Sequence, residues 1–484
     1  MSNATQGSAS NRINMLLDDN SFVEIGAGVT ARATDFNIKA NKTPSDGVVT
    51  GYGVIEGNLV YVYSQDAAVL GGSIGEMHAK KITKLYDLAL KTGAPVIGLI
   101  DCSGLRLQES TDALNGFGEL YAKQVEASGV IPQITAIFGN CGGGVAVIPA
   151  LTDFTFMEEK NAKLFVNSPN ALDGNYTAKC DTAGAKFQSE EAGLVDFVGT
   201  QEEILGGIRN LVTLLPGNNE YEVVYPECAD DLNRLCENID AVYTDAAYVL
   251  SVLADNGEFV EVKKNYAKSM VTGFIKLNGM TVGAVANRTE IFGEDGKAVE
   301  KFDACLTPAG CEKAADFVKF CDAFNIPVLT LTNVKGFAAT VCSEKKIAKA
   351  VADMTYAFSN ATVAKVNVIV GDAFGSAYVA MNSKSIGADM VFAWPNAKIG
   401  MMDASAAVKI MYADEIKASD DAVSLIAEKA DEYEKLQSNV DSAAARGYVD
   451  TVIEPAQTRK YLITAFDMLF TKREDIQYKK HGTV

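Results

Sequence analysis

The sequence predicts an α/β protein built twice on one plan. Five segments recur in the same order along the chain, and one numerical offset relates the distant pairs. Within each copy, short apolar runs of strand character alternate with amphipathic helical patterns, and the runs close on glycine.

The recurrence is legible by eye. DDNSFVEI (18–25) matches DNGEFVEV (255–262), and GVVTGYGVIEGNLVYV (from Gly47) matches SMVTGFIKLNGMTVGAV (from Ser269). KKITKLYDLALKTGAPVIGLIDCSG matches EKAADFVKFCDAFNIPVLTLTNVKG, and IPQITAIFGNCGGGVAVIPALTD matches VAKVNVIVGDAFGSAYVAMNSKS. GLVDFVGTQEEILGGIRNLVTLL matches GYVDTVIEPAQTRKYLITAFDML. Pro95 pairs with Pro327 and Gly143 with Gly375, each at an offset of 232, so Gly143 and Gly144 have Gly375 and Ser376 as partners.

Taken in order, NLVYVYS and MTVGAVAN are β-branched, alternating strands that follow the turn signals EGN and NGM. HAKKITKLYDLALKTG spaces its apolar residues as a helix does and ends on glycine. APVIGLIDCSG and PQITAIFGN are continuous apolar runs, as in strands covered on both faces. Ligands in such sheets gather at the strand carboxyl ends. Residues 215–256, with PGNNEYEVVYPECADDLNRL near their start, read as a connector between an N-terminal domain (1–214) and a C-terminal domain (257–484).

Composition narrows the function. The net charge of -19 without a basic block disfavours nucleic acid. The start MSNATQGSASNRINML lacks the features of a signal peptide, and no run of 18 apolar residues occurs, so a cytoplasmic protein is expected. The nine cysteines are scattered, without C-x-x-C, and read as free, buried thiols. Only two histidines occur: His481 in a polar tail and His78, which reads as a helix-surface residue. Chemistry here rests on something other than imidazole or metal.

The glycine turns remain. GNCGGGVAV lacks the lysine and hydroxyl of a phosphate loop, GEDGK at 293–297 fails the same pattern, and GYGVIEG at 51–57 lies within a hairpin. An oxyanion hole is the other reading, since glycine lets a carbonyl oxygen approach unpaired main-chain N–H groups. Tight packing explains the same glycines, and the residues alone leave both readings open.

From about Asn11 to Glu474 the chain resembles the carboxyltransferase subunits of biotin-dependent acyl-CoA carboxylases and decarboxylases, among them the propionyl-CoA carboxylase β subunit and methylmalonyl-CoA decarboxylase α chain. The motifs carrying this are DGVVTGYGVIEGNLVYVYSQD, GGSIGEMHAKKI, GAPVIGLIDCSG, SGVIPQITAIFGNCGGGVAVIPALTDF, VTGF, FCDAFNIPVLTL, AYVAMNSKSIGADMVFAWPNAKIGMM and AARGYVDTVIEP. The resemblance implies two tandem crotonase-like domains, each a spiral of ββα units, the first on the acyl-CoA side and the second on the biotin side. It implies that Gly143 and Gly144 hold the thioester oxygen while an enolate forms, and that Gly375, Ser376 and Ala377 hold the ureido oxygen of biotin. Carboxybiotin would release CO2, biotin N1′ would remove the α-proton, and the enolate would attack CO2. Gly71, Gly72, Ser73, Ser103, Gly104, Arg106 and Val379 are implied on the substrate side, and Gly336 and Phe337 on the cofactor side. Arg32, Lys39 and Lys42 are candidate partners for coenzyme A phosphates.

The chain departs from the family at three places. The second turn has Ser376 where Gly is usual, DCSGLRLQES replaces D-S-G-G-A-R-I-Q-E, and NVKGF, with Asn333 and Lys335, replaces D-V-P-G-F. Two other functions stay open: a crotonase-type hydratase or isomerase without biotin, for which Glu109 is the candidate acid, and a scaffold subunit without turnover. The resemblance further implies a homo-oligomer, typically a hexamer with sites between protomers. A separate biotin carrier protein, with a biotin carboxylase or a membrane decarboxylase subunit, would complete it, because the two repeats fill the length. No Met-Lys dipeptide of the usual biotinylation site occurs. An avidin blot of the purified chain is expected to show no covalent biotin.

Overall fold

A tight hairpin opens the main pattern of each sheet. β2 (Val48–Ile55) and β3 (Asn58–Gln65) pair antiparallel from Ile55 opposite Asn58, and Glu56 and Gly57 turn the chain at φ +48° and +80°. β10 (Met270–Leu277) and β11 (Met280–Asn287) repeat this, with Asn278 and Gly279 at +53° and +78°. Two positive φ values in succession match the right-handed twist of the strands they join. A short strand flanks each hairpin, β1 (Val23–Ile25) beside β2 and β9 (Phe259–Val262) beside β10.

The structure is a computed structural model and describes residues 8–32, 36, 43–220, 228–474, 476–477, 479 and 483–484. The chain divides into two units, residues 1–223 and 224–484. In the first, β4 (Val96–Cys102), β5 (Gln133–Gly142), β6 (Phe154–Glu158) and β8 (Phe197–Gly199) continue the sheet in parallel from β3, and β7 (Lys163–Phe165) pairs with the end of β5. In the second, the hairpin β12 (Glu290–Phe292) and β13 (Ala298–Lys301) and the short β14 (Cys305–Leu306) precede β15 (Val328–Val334). There β15, β17 (Lys365–Phe374), β18 (Met390–Ala393) and β20 (Thr451–Val452) extend the sheet, β19 (Lys398–Gly400) pairs with β17, and β16 (Gly336–Phe337) pairs with β14. Among the described residues the main sheet of each unit has eight strands, giving the predicted α/β architecture twice.

The duplication holds at single-residue level. From the helix Glu76–Thr92, which answers to Pro308–Ala323, through the glycine turn the offset is 232: Val96 faces Gln133 as Val328 faces Lys365. Before that the offset is 222, as Val48 against Met270 shows, and β12–β13 falls where the ten extra residues enter. Both copies also break register at one place. Ile100 faces Ile137 but Cys102 faces Cys141, and Thr332 faces Ile369 but Val334 faces Ala373. Two extra residues in β5 and in β17 therefore re-aim the strand just before its glycine turn.

Burial explains the apolar runs. β4 and β15 are covered along nearly their whole length, as parallel strands with both faces packed must be. Tyr63, Ile82, Leu85, Ile100, Phe117 and Ile137 build the first core; Val271, Val282, Leu331, Val368, Trp394 and Phe466 build the second. Of the segment 215–256, the helix Ala246–Leu253 packs Val249, Leu250 and Leu253 into the second core, while residues 221–227 lie outside the described residues.

The bulges impose their own glycines. A Cβ on Gly139 would stand 2.0 Å from the Asp101 carboxylate, which Arg12 holds at 3.4 Å. Gly139→Ala is expected to cost about 1–3 kcal/mol because that pair must move. Gly206, exposed within the helix Gln201–Leu214, has nothing within 4 Å of its would-be Cβ. Gly206→Ala is expected to add about 0.5–1 kcal/mol. Thermal melting of the two variants should shift in opposite directions.

Candidate active site

The carboxyl ends of β3, β4 and β5 bring the predicted first-unit residues together. Gly71 and Gly72 both adopt left-handed φ, +67° and +64°. Their loop is stitched to the one after β4: Ser103 N–H donates to Gly71 O at 3.0 Å, Ile74 N–H to Gly104 O at 2.9 Å, and Arg106 N–H to Ile74 O at 2.9 Å. A Cβ on Gly72 would meet Asp101 O at 2.2 Å, so no side chain fits there. Gly104 borders the end of β5, its would-be Cβ lying 3.8 Å from Gly142 O. Gly71, Gly72, Ser73, Ser103 and Gly104 thus line one place, beside Gly143 and Gly144.

The turn itself recurs in both units. Gly142 and Phe374 are extended, both at φ −115°, and the next residues, Gly143 and Gly375, switch to +65° and +63°. Exposure then runs in parallel: Gly143 and Gly375 half-buried, Gly144 and Ser376 exposed, Val145 and Ala377 buried. Only glycine tolerates that φ without strain. Nothing lies within 4 Å of the would-be Cβ of Gly143, leaving open room beside its main chain. Tyr121 Oη donates to Gly144 O at 2.5 Å and fixes the peptide that follows.

The second unit repeats the stitching. Cys305 faces Gly336 and Leu306 faces Phe337 in parallel, and Ala338 N–H donates to Leu306 O at 2.9 Å, the counterpart of the Arg106–Ile74 bond. The helix Gly375–Ala380 lies against β16, so Gly336, Phe337, Gly375, Ser376 and Ala377 are neighbours. Val379 on that helix and its counterpart Val147 are similarly exposed, at 38% and 36%.

Arg106 stands apart from the other predicted substrate residues. Its guanidinium is fully buried, with Nη1 2.6 Å from Asp46 Oδ1 and 2.8 Å from Glu109 Oε1, while Nη2 donates to Ser73 O at 2.8 Å. Arg106 therefore holds the Ser73 loop from beneath. Glu109 is equally committed, since its Oε2 accepts the Glu76 N–H at 2.6 Å, at the positive end of the helix Glu76–Thr92. Gly75 makes room for this: a Cβ there would lie 2.4 Å from Glu109 Oε1. Asp46 opens the motif DGVVTGYGVIEGNLVYVYSQD, but no role was expected of it. Burial pushes its carboxyl up, with Arg106 pulling the other way.

His78 corrects the surface reading, because it is wholly buried beside this network. Its Nδ1 bonds to Asp46 O at 2.9 Å and its Nε2 to Gln65 Nε2 at 3.2 Å, which suits a neutral ring donating through Nδ1. Spacing held the signal: His78, Ile82, Leu85 and Ala89 share the buried helix face. Of the cysteines, Cys102, Cys141, Cys236, Cys311 and Cys321 are buried, whereas Cys180 and Cys342 are exposed; all nine are free thiols. Arg32 is engaged by Glu76, at 2.6 Å, and by Asp112. Lys39, Lys42 and His481 lie outside the described residues. Among the described residues no helix is long and apolar enough to cross a membrane.

A crystal structure of the transcarboxylase 12S core, a hexamer assembly with hydrolysed methylmalonyl-coenzyme A bound, matches at TM-score 0.90 and 38% identity, over 98% of this chain and 92% of that one. The fold and its paired turns thus define the class, a tandem crotonase-like carboxyltransferase. The carboxyl transferase domain family matches residues 4–484, and the chain belongs to that family. It is 41% identical to the methylmalonyl-CoA decarboxylase subunit alpha of Propionigenium modestum, over 98% of this chain and 92% of the relative. It is 39% identical to the propionyl-CoA carboxylase beta chain of Roseobacter denitrificans, over 98% and 93%.

The buried histidine has a titration consequence. Burial, helped by the Arg106 charge, holds His78 down at about 3, below its ordinary value of about 6.5. Between those values the unfolded chain binds a proton that the folded chain refuses. The stability linked to His78 is therefore full above about pH 6.5 and is lost as the pH falls toward 3. His78→Gln is expected to flatten the drop in melting temperature between pH 7 and 4.5, a slope worth at most about 1.4 kcal/mol per pH unit.

Proposed function

We propose that this chain moves a carboxyl group between biotin and a short-chain acyl-CoA of the propionyl-CoA/methylmalonyl-CoA pair. The observation that carries the reading is the paired glycine turn, one backbone geometry occurring once per unit beside stitched strand ends, with open space at Gly143 and Met401 O 3.1 Å from the would-be Cβ of Gly375. In this reading the main-chain N–H groups of Gly143 and Gly144 hold the thioester oxygen of the acyl-CoA. As the α-proton leaves, negative charge gathers on that oxygen, and fixed N–H donors stabilise it without reorganising. One such donor contributes on the order of 3 kcal/mol. Tyr121 fixes the Gly144 carbonyl, and the Arg106 network fixes the Ser73 loop, so the cradle is set before substrate arrives.

In the same reading the second turn takes a ureido ring. Gly336 has nothing within 4 Å of its would-be Cβ, and Ser376 is exposed beside the half-buried Gly375. Gly375, Ser376 and Ala377 would hold the ureido oxygen, with Gly336 and Phe337 alongside. When bound, biotin supplies the nitrogen that carries the carboxyl group and takes up the α-proton. The relatives' names support both directions of transfer, and the hexameric transcarboxylase core supports a homo-oligomer. The biotin belongs on a separate carrier protein, with a carboxylase or a membrane decarboxylase subunit as further partner.

A hydratase needs a free acid beside the enolate. The one candidate, Glu109, has one oxygen on Arg106 and the other on the Glu76 N–H, which leaves it unsuited to that task.

Two assays test the reading. Methylmalonyl-CoA should lose CO2, or propionyl-CoA should support carboxyl exchange, only when free biotin is added, and enoyl-CoA hydration should be absent. Failure with every short acyl-CoA, or hydration without biotin, overturns it.

A further inference from the structure

The two glycine turns share a backbone but not a charge pattern. Ser103 directly follows β4 and Asn140 stands three residues before Gly143 in β5, and both are neutral. At offset 232 the same positions hold Lys335 and Asp372, and Lys335 Nζ lies 3.3 Å from Asp372 Oδ2. The surroundings otherwise correspond. Asn140 is in register with Lys163, which pairs with Asp181 at 2.7 Å; Asp372 is in register with Lys398, which pairs with Glu434 at 2.6 Å. A lysine–aspartate pair has thus been set into one turn of two that are otherwise built alike.

Stability does not account for it. The Lys335 side chain is 58% exposed, and an exposed pair contributes about 0.2–1 kcal/mol. Its placement is more telling. Asp372 stands three residues before Gly375, and Lys335 directly precedes β16, which lies against the helix Gly375–Ala380. The main chain is held on both sides: Lys335 N–H donates to Ala304 O at 2.7 Å, and Asp372 N–H to Asn333 Oδ1 at 3.1 Å. Asp372 is the covered partner, at 23%, so an arriving ligand meets the ammonium. With one N–H directed to Asp372, two donors remain for that ligand.

We infer that Lys335, held by Asp372, is a specificity residue that receives a carboxylate at the second turn, so that the turn prefers a ureido ligand bearing the carboxyl group over the bare ring. The inference rests on the second turn being the biotin cradle. A bare ureido ring is neutral, and main-chain N–H groups suffice for it. The carboxyl group adds a full negative charge, and a charge-assisted bond to an ammonium is about twice as strong as a neutral one. The first turn takes the uncharged thioester carbonyl, and Ser103 and Asn140 are themselves uncharged.

Calorimetry on the full chain tests this without turnover. The probes are biotinamide and its N1′-carboxymethyl derivative, a stable ligand that places a carboxylate one methylene from the ring nitrogen. The unsubstituted protein should bind the carboxymethyl probe about tenfold more tightly, a difference of about 1.4 kcal/mol. Lys335→Met should abolish the preference while leaving biotinamide affinity and melting temperature unchanged, and Lys335→Arg should restore most of it. Equal affinities in the unsubstituted protein, or a preference that survives in Lys335→Met, overturn the inference. Binding of neither probe overturns the cradle reading itself, and the role of Lys335 with it.

Discussion

A buried parallel strand that passes in one step from extended to left-handed backbone has no room for a side chain at the turn. Gly143 and Gly375 meet that constraint in the same way, each leaving an extended residue at φ −115° and entering the left-handed region at once. A Cβ at either position would strain the backbone. The register breaks in β5 and β17 come immediately before, and they re-aim the strand ends so that the turns emerge at the surface. The rest of each site follows from this junction. The loops after β3 and β4 can be stitched together only where the bulge opens the strand ends, and the strand stack behind the bulge is buried on both faces.

The first unit reinforces its turn with charge placed inside the fold. Asp46, Arg106 and Glu109 form a buried triad, and removing one member of such a group strands the others at a cost of about 3–5 kcal/mol. The triad ties three segments that hydrophobic packing cannot register against one another: the chain before β2, the loop after β4 and the start of the helix Glu76–Thr92. Non-directional apolar contact tolerates sliding, whereas a forked guanidinium does not. The second unit places Ala338 and Val341 at the equivalents of Arg106 and Glu109 and builds no matching triad there. Its buried arginines serve other joints, Arg459 binding Asp255 and Leu253 O, and Arg288 facing Glu261.

Much of this was legible in the chain because it is periodic. A constant offset needs only pairwise comparison, and β-branched alternation or continuous apolar runs report burial directly; hence β3, β4, β5 and their repeats fall where the pattern placed them. What stayed hidden depends on contacts between segments far apart in sequence. His78 reads as a polar residue near a helix start, yet it shares a face with Ile82 and Leu85 and finds its partners on Asp46 and Gln65. Glu109 reads as a free acid until the Glu76 N–H and Arg106 are brought to it. The bulges are invisible too, since an extra pair of residues in β5 has meaning only against β4. The glycines at 139 and 371 look like ordinary small residues. The side chains that exclude a Cβ there, Asp101 and Asn333, lie on the neighbouring strand.

Duplication separates what the backbone must keep from what side chains may change. The bulge, the left-handed glycine and the stitched loops persist at one offset in both units, because any of them altered alone would misplace the others. Even the bond that seats the end of the middle strand is preserved: Asp101 N–H donates to Gln65 Oε1, and Asn333 N–H to Asn287 Oδ1. Charge is free to move across this frame. The first unit carries an acid at 101 and neutralises it from below with Arg12; the second is neutral at 333 and carries its charges at 335 and 372, nearer the surface. Moving charge outward by two residues leaves the backbone of the turn in place. On the proposed reading, a frame whose chemistry lies in main-chain N–H groups serves two different ligands in one chain without a second invention, and a protein with two histidines lacks nothing that such chemistry needs.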